Sequence, residues 1–384
     1  MKITKLETFT VSVPYQHTEV SSRVHRDGVT DVLVKLSTDS GLIGWGESCS
    51  GAHVESIEQA IQSASPFILG QSPWQTESIA RDFFHTGLWD HRLMTGNFAF
   101  AGIDQALWDI CGQACGQPLY RLFGGSLHEQ INYFYYLSQG TPEEITEQCR
   151  TATRSGYTCF YLKVGLNTKL ETDMLSAIRG TIGPEGKIRI DANQAWTVAQ
   201  AIEILNHWHQ EFNIDFVEAP TRINPVENMS EVRARTSVPV CANEGLWSEA
   251  DAMRVIRARA ADILCFSSYW VGTLRQWHTL CHSARLEGLQ ICKHTHGELG
   301  LAAAAAQHLL LTIPNIVDGH QQTATMMSDD ILKDPLPIAG KPNWKAIEQP
   351  GLGVDVDPEK VAQFHEYYQQ SGQFLPYHHR ASPS

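Results

Sequence analysis

Basic charge is scarce in this chain. Lysine and arginine number 29 against 42 aspartates and glutamates, a net charge of −13, whereas a protein that neutralises nucleic-acid phosphates needs the opposite balance. No nucleic-acid partner is expected. Long apolar runs are missing too: the longest, residues 299–313, is interrupted by Gln307 and His308 and falls short of the roughly 20 residues that span a bilayer. No membrane partner is expected either. The first seven residues alternate charged and apolar types, unlike the continuous apolar core of a secretory leader. Close cysteine pairs are lacking apart from Cys111 and Cys115, which sit in a helical pattern; the nine cysteines are odd in number, and Cys159, Cys241, Cys265 and Cys292 lie inside apolar runs. That usage predicts reduced, packed thiols and a cytoplasmic protein.

What is present is globular composition, 42% hydrophobic and 18% charged over 384 residues, enough for a large core without disulfides. Strand-like runs at residues 3–14, 31–37 and 42–47, with a turn at Asp39-Ser40-Gly41, predict an antiparallel meander. Residues 16–28, with His17, Arg23, His25 and Arg26, read as a polar loop whose length suggests function or mobility. Residues 55–122 turn helical, with apolar spacing over 98–115 up to the stop signal Gly116-Gln117-Pro118. Gly124-Gly125 closes this α+β unit, residues 1–125.

A regular alternation follows. Apolar strand-like runs end near Tyr136, Lys163, Asp191, Glu218, Glu244, Ser267, His294 and His320, about 26 residues apart, with helical segments between them. Parallel βα units leave an open sheet or a closed barrel. Eight units favour a (β/α)₈ barrel over residues 126–340, with its chemistry at the C-terminal strand ends. Residues 341–384 return to turns and a polar tail, expected to pack back on the first unit with His378-His379-Arg380 disordered.

The strand ends carry the candidate chemistry. Asp191, Glu218 and Glu244 end three consecutive strands and converge in a barrel, where unpaired carboxylates repel one another. Oxygen-only donors with three charges suit Mg²⁺, with Mn²⁺ as the alternative; pairing of each carboxylate with Lys or Arg is the structural alternative. Lys163 ends the preceding strand. Beside a bound cation its ammonium is disfavoured, which makes it a general base; otherwise it neutralises the carboxylates itself. Across the mouth, Lys293-His294-Thr295-His296 supplies His294 as acid or base, with His296 on the same face and His320 a further candidate. A cation, a base and a facing proton-transfer group suit removal of the proton adjacent to a carboxylate, with the cation stabilising the enediolate. Elimination and racemisation then differ only in the last step.

These residues lie in motifs that resemble the enolase superfamily, and within it the mandelate racemase/muconate lactonizing enzyme-like branch. The motifs are Gly41-Leu42-Ile43-Gly44-Trp45-Gly46-Glu47, Gly102-Ile103-Asp104-Gln105-Ala106-Leu107-Trp108-Asp109, Leu122-Phe123-Gly124-Gly125, Tyr161-Leu162-Lys163, Asp191-Ala192-Asn193, Val217-Glu218-Ala219-Pro220 and Ala242-Asn243-Glu244. The resemblance implies an α+β capping domain on a modified (β/α)₇β barrel, with Mg²⁺ on Asp191, Glu218 and Glu244 and residues 16–28 reaching over the site to set specificity. Two departures stand out. Tyr161 occupies the first position of the usual Lys-x-Lys, and Phe266-Ser267-Ser268-Tyr269-Trp270 replaces a sixth-strand Asp or Lys.

Without that Asp to raise the basicity of His294, dehydration is expected over two-base racemisation. The expected enzyme is a Mg²⁺-dependent hydro-lyase acting on a sugar acid or other hydroxy acid, a small-molecule carboxylate, with Lys163 as base and His294 as acid. Arg23, His25 and Arg26 would hold a distal carboxylate or hydroxyls, and Tyr161, Asn193, Ser267, Tyr269, His296 and His320 would line the pocket. The alternatives are a sugar-lactone cycloisomerase, a racemase or epimerase of an α-substituted acid such as a cyclic amino acid, and a non-catalytic relative. A homo-oligomer is expected.

Overall fold

Alternating β-branched residues draw the N-terminal segment into a three-stranded antiparallel sheet, Ile3–Val20, His25–Thr38 and Ile43–Ser48 in that order. The computed structural model describes residues 1–22, 24–49, 53–86 and 93–375. It corrects the loop expected at residues 16–28, because the first two strands run on through most of it. Pairing resumes after a register shift between Pro14 and Glu19, with Glu19 opposite Arg26. Both are buried. The polarity read as solvated loop is an ion pair facing inward across a hairpin.

The sheet packs on the helix Leu93–Cys115. A Cβ on Gly46 would collide with the Gly102 carbonyl, so glycine in both motifs lets strand and helix backbones touch. Three carboxylates tie this cap to the barrel and the C-terminal segment. Glu47 accepts from the backbone N–H of Leu299 at 2.7 Å and of Ala302 at 3.0 Å, at the start of the helix Gly300–Leu310. Asp104 accepts from Leu274 N–H at 2.7 Å, and Asp109 from Trp45 and Leu352 N–H at 3.0 and 2.9 Å.

Seven parallel strands follow in sequence order: Tyr135–Leu137, Cys159–Lys163, Lys187–Asp191, Ile214–Glu218, Val240–Ala242, Ile263–Phe266 and Gln290–Lys293. An eighth segment closes the ring through parallel bridges of Ile316 to Ile291 and His320 to Tyr133. Five of the intervening helices begin at side-chain caps, including capping boxes at Thr141 with Glu144 and Thr197 with Gln200, which satisfy N–H groups that the first helical turn leaves without partners. No barrel helix follows the eighth segment. The chain returns to the cap instead, where the helix Pro358–Ser371 lies along the first strand and His365 Nδ1 sits 2.7 Å from the Thr10 carbonyl. The architecture is a (β/α)₇β barrel under an α+β cap.

Strand alternation divides the barrel interior into layers. Phe216, Cys241, Ile263, Cys265, Cys292 and Val317 form one buried cluster in the floor. Arg189 crosses that floor, donating to Asp215 at 2.8 Å and to the carbonyls of Asp318 and Gly319, with its guanidinium 4.5 Å from the Phe216 ring. Two positions past Phe216, Cys265 and Cys292 come Glu218, Ser267 and His294, at or just past the ends of the fourth, sixth and seventh strands. All nine cysteines are free thiols, eight of them buried. Among the described residues no helix is long and apolar enough to cross a membrane.

Candidate active site

The second, third and fourth barrel strands bring Tyr161, Lys163, Asp191 and Glu218 together by register, Lys163 opposite Asp191 and Asp191 opposite Glu218. Lys163 Nζ lies 2.6 Å from Asp191 Oδ2, and the Tyr161 hydroxyl donates to the same oxygen at 2.7 Å. Tyr161 is thus no bare pocket wall: its ring stacks on Phe134 at 4.4 Å and its hydroxyl serves a carboxylate. Asn193, in the left-handed region at φ 45°, donates Nδ2–H to Glu244 Oε1 at 3.0 Å and its backbone N–H to Asp191 Oδ1 at 2.8 Å. It braces two carboxylates.

Burial and the neighbouring Asp191 push the Glu218 carboxyl well above the usual carboxylate range, and the same two causes raise Glu244. Glu244 Oε2 is buried without a hydrogen-bond partner. A buried carboxylate oxygen so placed, among mutually repelling oxygen donors, fits a hard divalent cation. The effect expected on Lys163 runs the other way. Burial alone would lower its ammonium, but Asp191 and Glu19 outweigh burial and hold it above the ordinary lysine value. In this arrangement Lys163 is the carboxylates' counter-charge.

His294 lies on the facing wall, buried. Burial, then His296 and Lys163, depress its imidazole well below the usual value. The Tyr269 hydroxyl lies 3.3 Å from Nδ1, and the Trp270 ring stands edge-on at 4.8 Å. Ser267 is buried and its hydroxyl donates to the His294 carbonyl, which ties the end of the sixth strand to the seventh. His296 packs near Phe98 and His294.

Two expected pocket residues face elsewhere and a third is already paired. His320 faces the outer layer, where its Nδ1 accepts from Lys293 N–H at 3.0 Å and Tyr133, 6.2 Å from its ring, donates to Gln307 of an outer helix. With a period of two, its neighbour Gln321 is the inward residue, and Gln321 Nε2 donates to Glu218 Oε2 at 2.5 Å. His25 is exposed, since alternation along the hairpin turns it away as Arg26 turns in. Arg26 is committed to protein partners: it donates Nε–H and an Nη2 proton to Glu19 Oε2 at 2.9 and 2.5 Å, and an Nη1 proton to the His296 carbonyl at 2.5 Å. Arg23 and the tail His378-His379-Arg380 lie outside the described residues.

Sequence reasoning missed Gln321, Glu19 and Tyr136, whose hydroxyl donates to Glu19 Oε1 at 3.1 Å. Gln321 adjoins His320, and only the register of the eighth segment shows which of the two faces in. Glu19 gave no comparable signal, because the hairpin register sets its direction.

Strand-end carboxylates, with Lys163 beside them and His294 across the mouth, thus sit at the C-terminal ends of a parallel barrel under an antiparallel cap. Two family models cover most of the chain: the mandelate racemase/muconate lactonizing enzyme N-terminal domain over residues 5–124 and the enolase C-terminal domain-like model over residues 144–361. The chain belongs to the enolase superfamily, in its mandelate racemase/muconate lactonizing enzyme-like branch, whose members use Mg²⁺. It is similar to N-succinyl-L-Arg/Lys racemase of Bacillus cereus, 28% identical over 94% of this chain and 97% of that one; the crystal structure of that racemase superposes with a TM-score of 0.87, covering 95% of this chain and 98% of the other at 27% identity. It is also similar to L-Ala-D/L-Glu epimerase of Clostridium acetobutylicum, 31% identical over 86% and 92% of the two chains, and to D-galactarolactone cycloisomerase of Agrobacterium fabrum, 26% identical over 95% and 99%. These relatives are isomerases. The expected hydro-lyase finds no support among them, and the isomerase alternative does.

Proposed function

We propose that this chain is an isomerase that removes the proton α to a substrate carboxylate, a racemase, epimerase or cycloisomerase. The observation that carries the reading is Lys163 on one wall of the mouth with His294 on the wall facing it, in a chain whose relatives are isomerases. Lys163 takes the proton as the neutral amine, the form favoured once Asp191 is neutralised otherwise. Asp191, Glu218 and Glu244 would hold Mg²⁺, which when bound neutralises the carboxylates and stabilises the enediolate. With Nδ1 beside the Tyr269 hydroxyl, Nε2 of His294 is the atom that holds or returns a proton on the opposite face. Ser267 keeps that strand in position.

The test is turnover of small carboxylates in deuterated water with Mg²⁺ present. The wild type should place deuterium at the α-carbon without losing water, and Lys163→Ala should slow exchange by on the order of 10³-fold. Loss of water from a hydroxy acid would restore the dehydratase reading. Exchange lost in His294→Asn but kept in Lys163→Ala would reverse the base assignment.

A further inference from the structure

Where the cap hairpin meets the mouth, the charges are already matched. Glu19 and Arg26, carried in by the cap hairpin, are both buried. Glu19 Oε1 accepts from Tyr136 on the first barrel strand, and Oε2 accepts two protons from Arg26. Arg26 spends its remaining Nη1 contact on the His296 carbonyl past the seventh strand, and its guanidinium lies 5.5 Å from the Tyr15 ring. Burial alone would raise the Glu19 carboxyl, but Arg26 and Lys163 outweigh it and hold it below the usual range. The pair is ionised, satisfied on both members, and neutral in sum.

The neighbouring wall is aromatic. Trp247 stacks on Trp270 at 4.4 Å, Trp270 abuts His294, and Phe98 stacks on Tyr269 at 5.5 Å. Asn97 of the cap helix clamps this wall by donating Nδ2 protons to the carbonyls of Trp247 and Trp270 at 2.8 and 2.7 Å. Aromatic faces attract apolar groups and cations and repel anions. Lys293 points out of the mouth and is paired with Glu298. Among the described residues, no unmatched cation faces this part of the site.

We infer that the substrate is a monocarboxylate whose remaining part is apolar or cationic, because among the described residues a second carboxylate beside Glu19 and the aromatic wall would meet no free counter-charge. This inference rests on the α-proton-abstraction reading for the role of the first carboxylate. It replaces the expected role of Arg26 as a clamp for a distal carboxylate.

Three near-isosteric probes separate the possibilities: the Nα-acetyl derivatives of L-norleucine, L-lysine and L-α-aminoadipate, with apolar, cationic and anionic ends. Binding is measured by calorimetry on the Lys163→Ala variant with Mg²⁺, and α-proton exchange on the wild type. The norleucine and lysine derivatives should bind and exchange at least ~100-fold better than the aminoadipate derivative. Glu19→Gln, which leaves Arg26 uncompensated, should narrow that gap by at least ~10-fold by favouring the anion. An aminoadipate derivative that binds as well as the others, or a mouth that takes none of the three, overturns the inference. Binding in the expected order without exchange leaves it standing and removes the proposed isomerase instead.

Discussion

At the scale of single residues, the site is a charge problem solved by geometry. Asp191 receives Lys163 and Tyr161 on one oxygen and the Asn193 backbone on the other, whereas Glu244 keeps a buried oxygen without a partner. That asymmetry marks Glu244 as the carboxylate with most to gain from a cation. Glu244→Gln should weaken Mg²⁺ affinity by at least ~10-fold with an unchanged far-ultraviolet circular dichroism spectrum; calorimetry showing wild-type affinity would remove Glu244 from the ligand set. Tyr161 replaces a charged lysine with a neutral donor, so the phenol can serve Asp191 and Glu218 without adding a second cation beside Lys163. That substitution was visible in the chain, but its hydrogen-bond partners were not.

At the scale of elements, the helix Gly300–Leu310 shows how an apolar run is placed. All its residues are buried, including His308, whose Nδ1 accepts from Tyr120 N–H at 3.3 Å while Nε2 lies 3.1 Å from the Leu352 carbonyl. A ring that accepts at one nitrogen and donates at the other must be neutral, and burial pushes its pKa down to about 4. The unfolded chain takes up this proton near pH 6.5 and the native state does not until about pH 4, so the native state binds fewer protons between those limits. Stability is therefore lost as pH falls through that window, by on the order of 2 kcal/mol at about pH 5. Urea unfolding at neutral pH and near pH 5 should show that loss in the wild type and a visibly smaller one in His308→Gln. Equal losses would mean His308 does not carry the effect. The floor makes a second prediction: Arg189→Ala leaves Asp215 and two carbonyls without their donor and should cost about 3 kcal/mol in the same assay.

At the scale of the whole molecule, the cap and barrel are joined by buried acids acting as helix caps across the interface. Glu47 accepts from two N–H groups that open the helix after the seventh strand, and Asp104 accepts from one that opens the helix after the sixth. Both barrel segments lead away from the catalytic wall that holds Ser267 and His294. Glu47→Ala should lower stability by about 2 kcal/mol, the cost of leaving buried N–H groups unsatisfied, read as a shift in the urea midpoint. A midpoint unchanged from wild type would mean the cap is held by apolar packing alone.

The sequence by itself determined the class of fold and one wall of the site. A buried parallel strand has no reason to end in charge unless that charge is used, so Lys163, Asp191, Glu218 and Glu244 were legible from local pattern. The tertiary structure alone decided which way the remaining polar residues face. Side chains alternate with a period of two, so a shift of one residue exchanges the mouth for the outer layer: this sends His320 outward, brings Gln321 in, and turns His25 away as Arg26 enters. The pairing of Glu19 with Arg26 depends on a register shift in the cap hairpin, which composition and spacing do not encode. That pairing takes Arg26 out of the role expected of it, a clamp for a distal carboxylate.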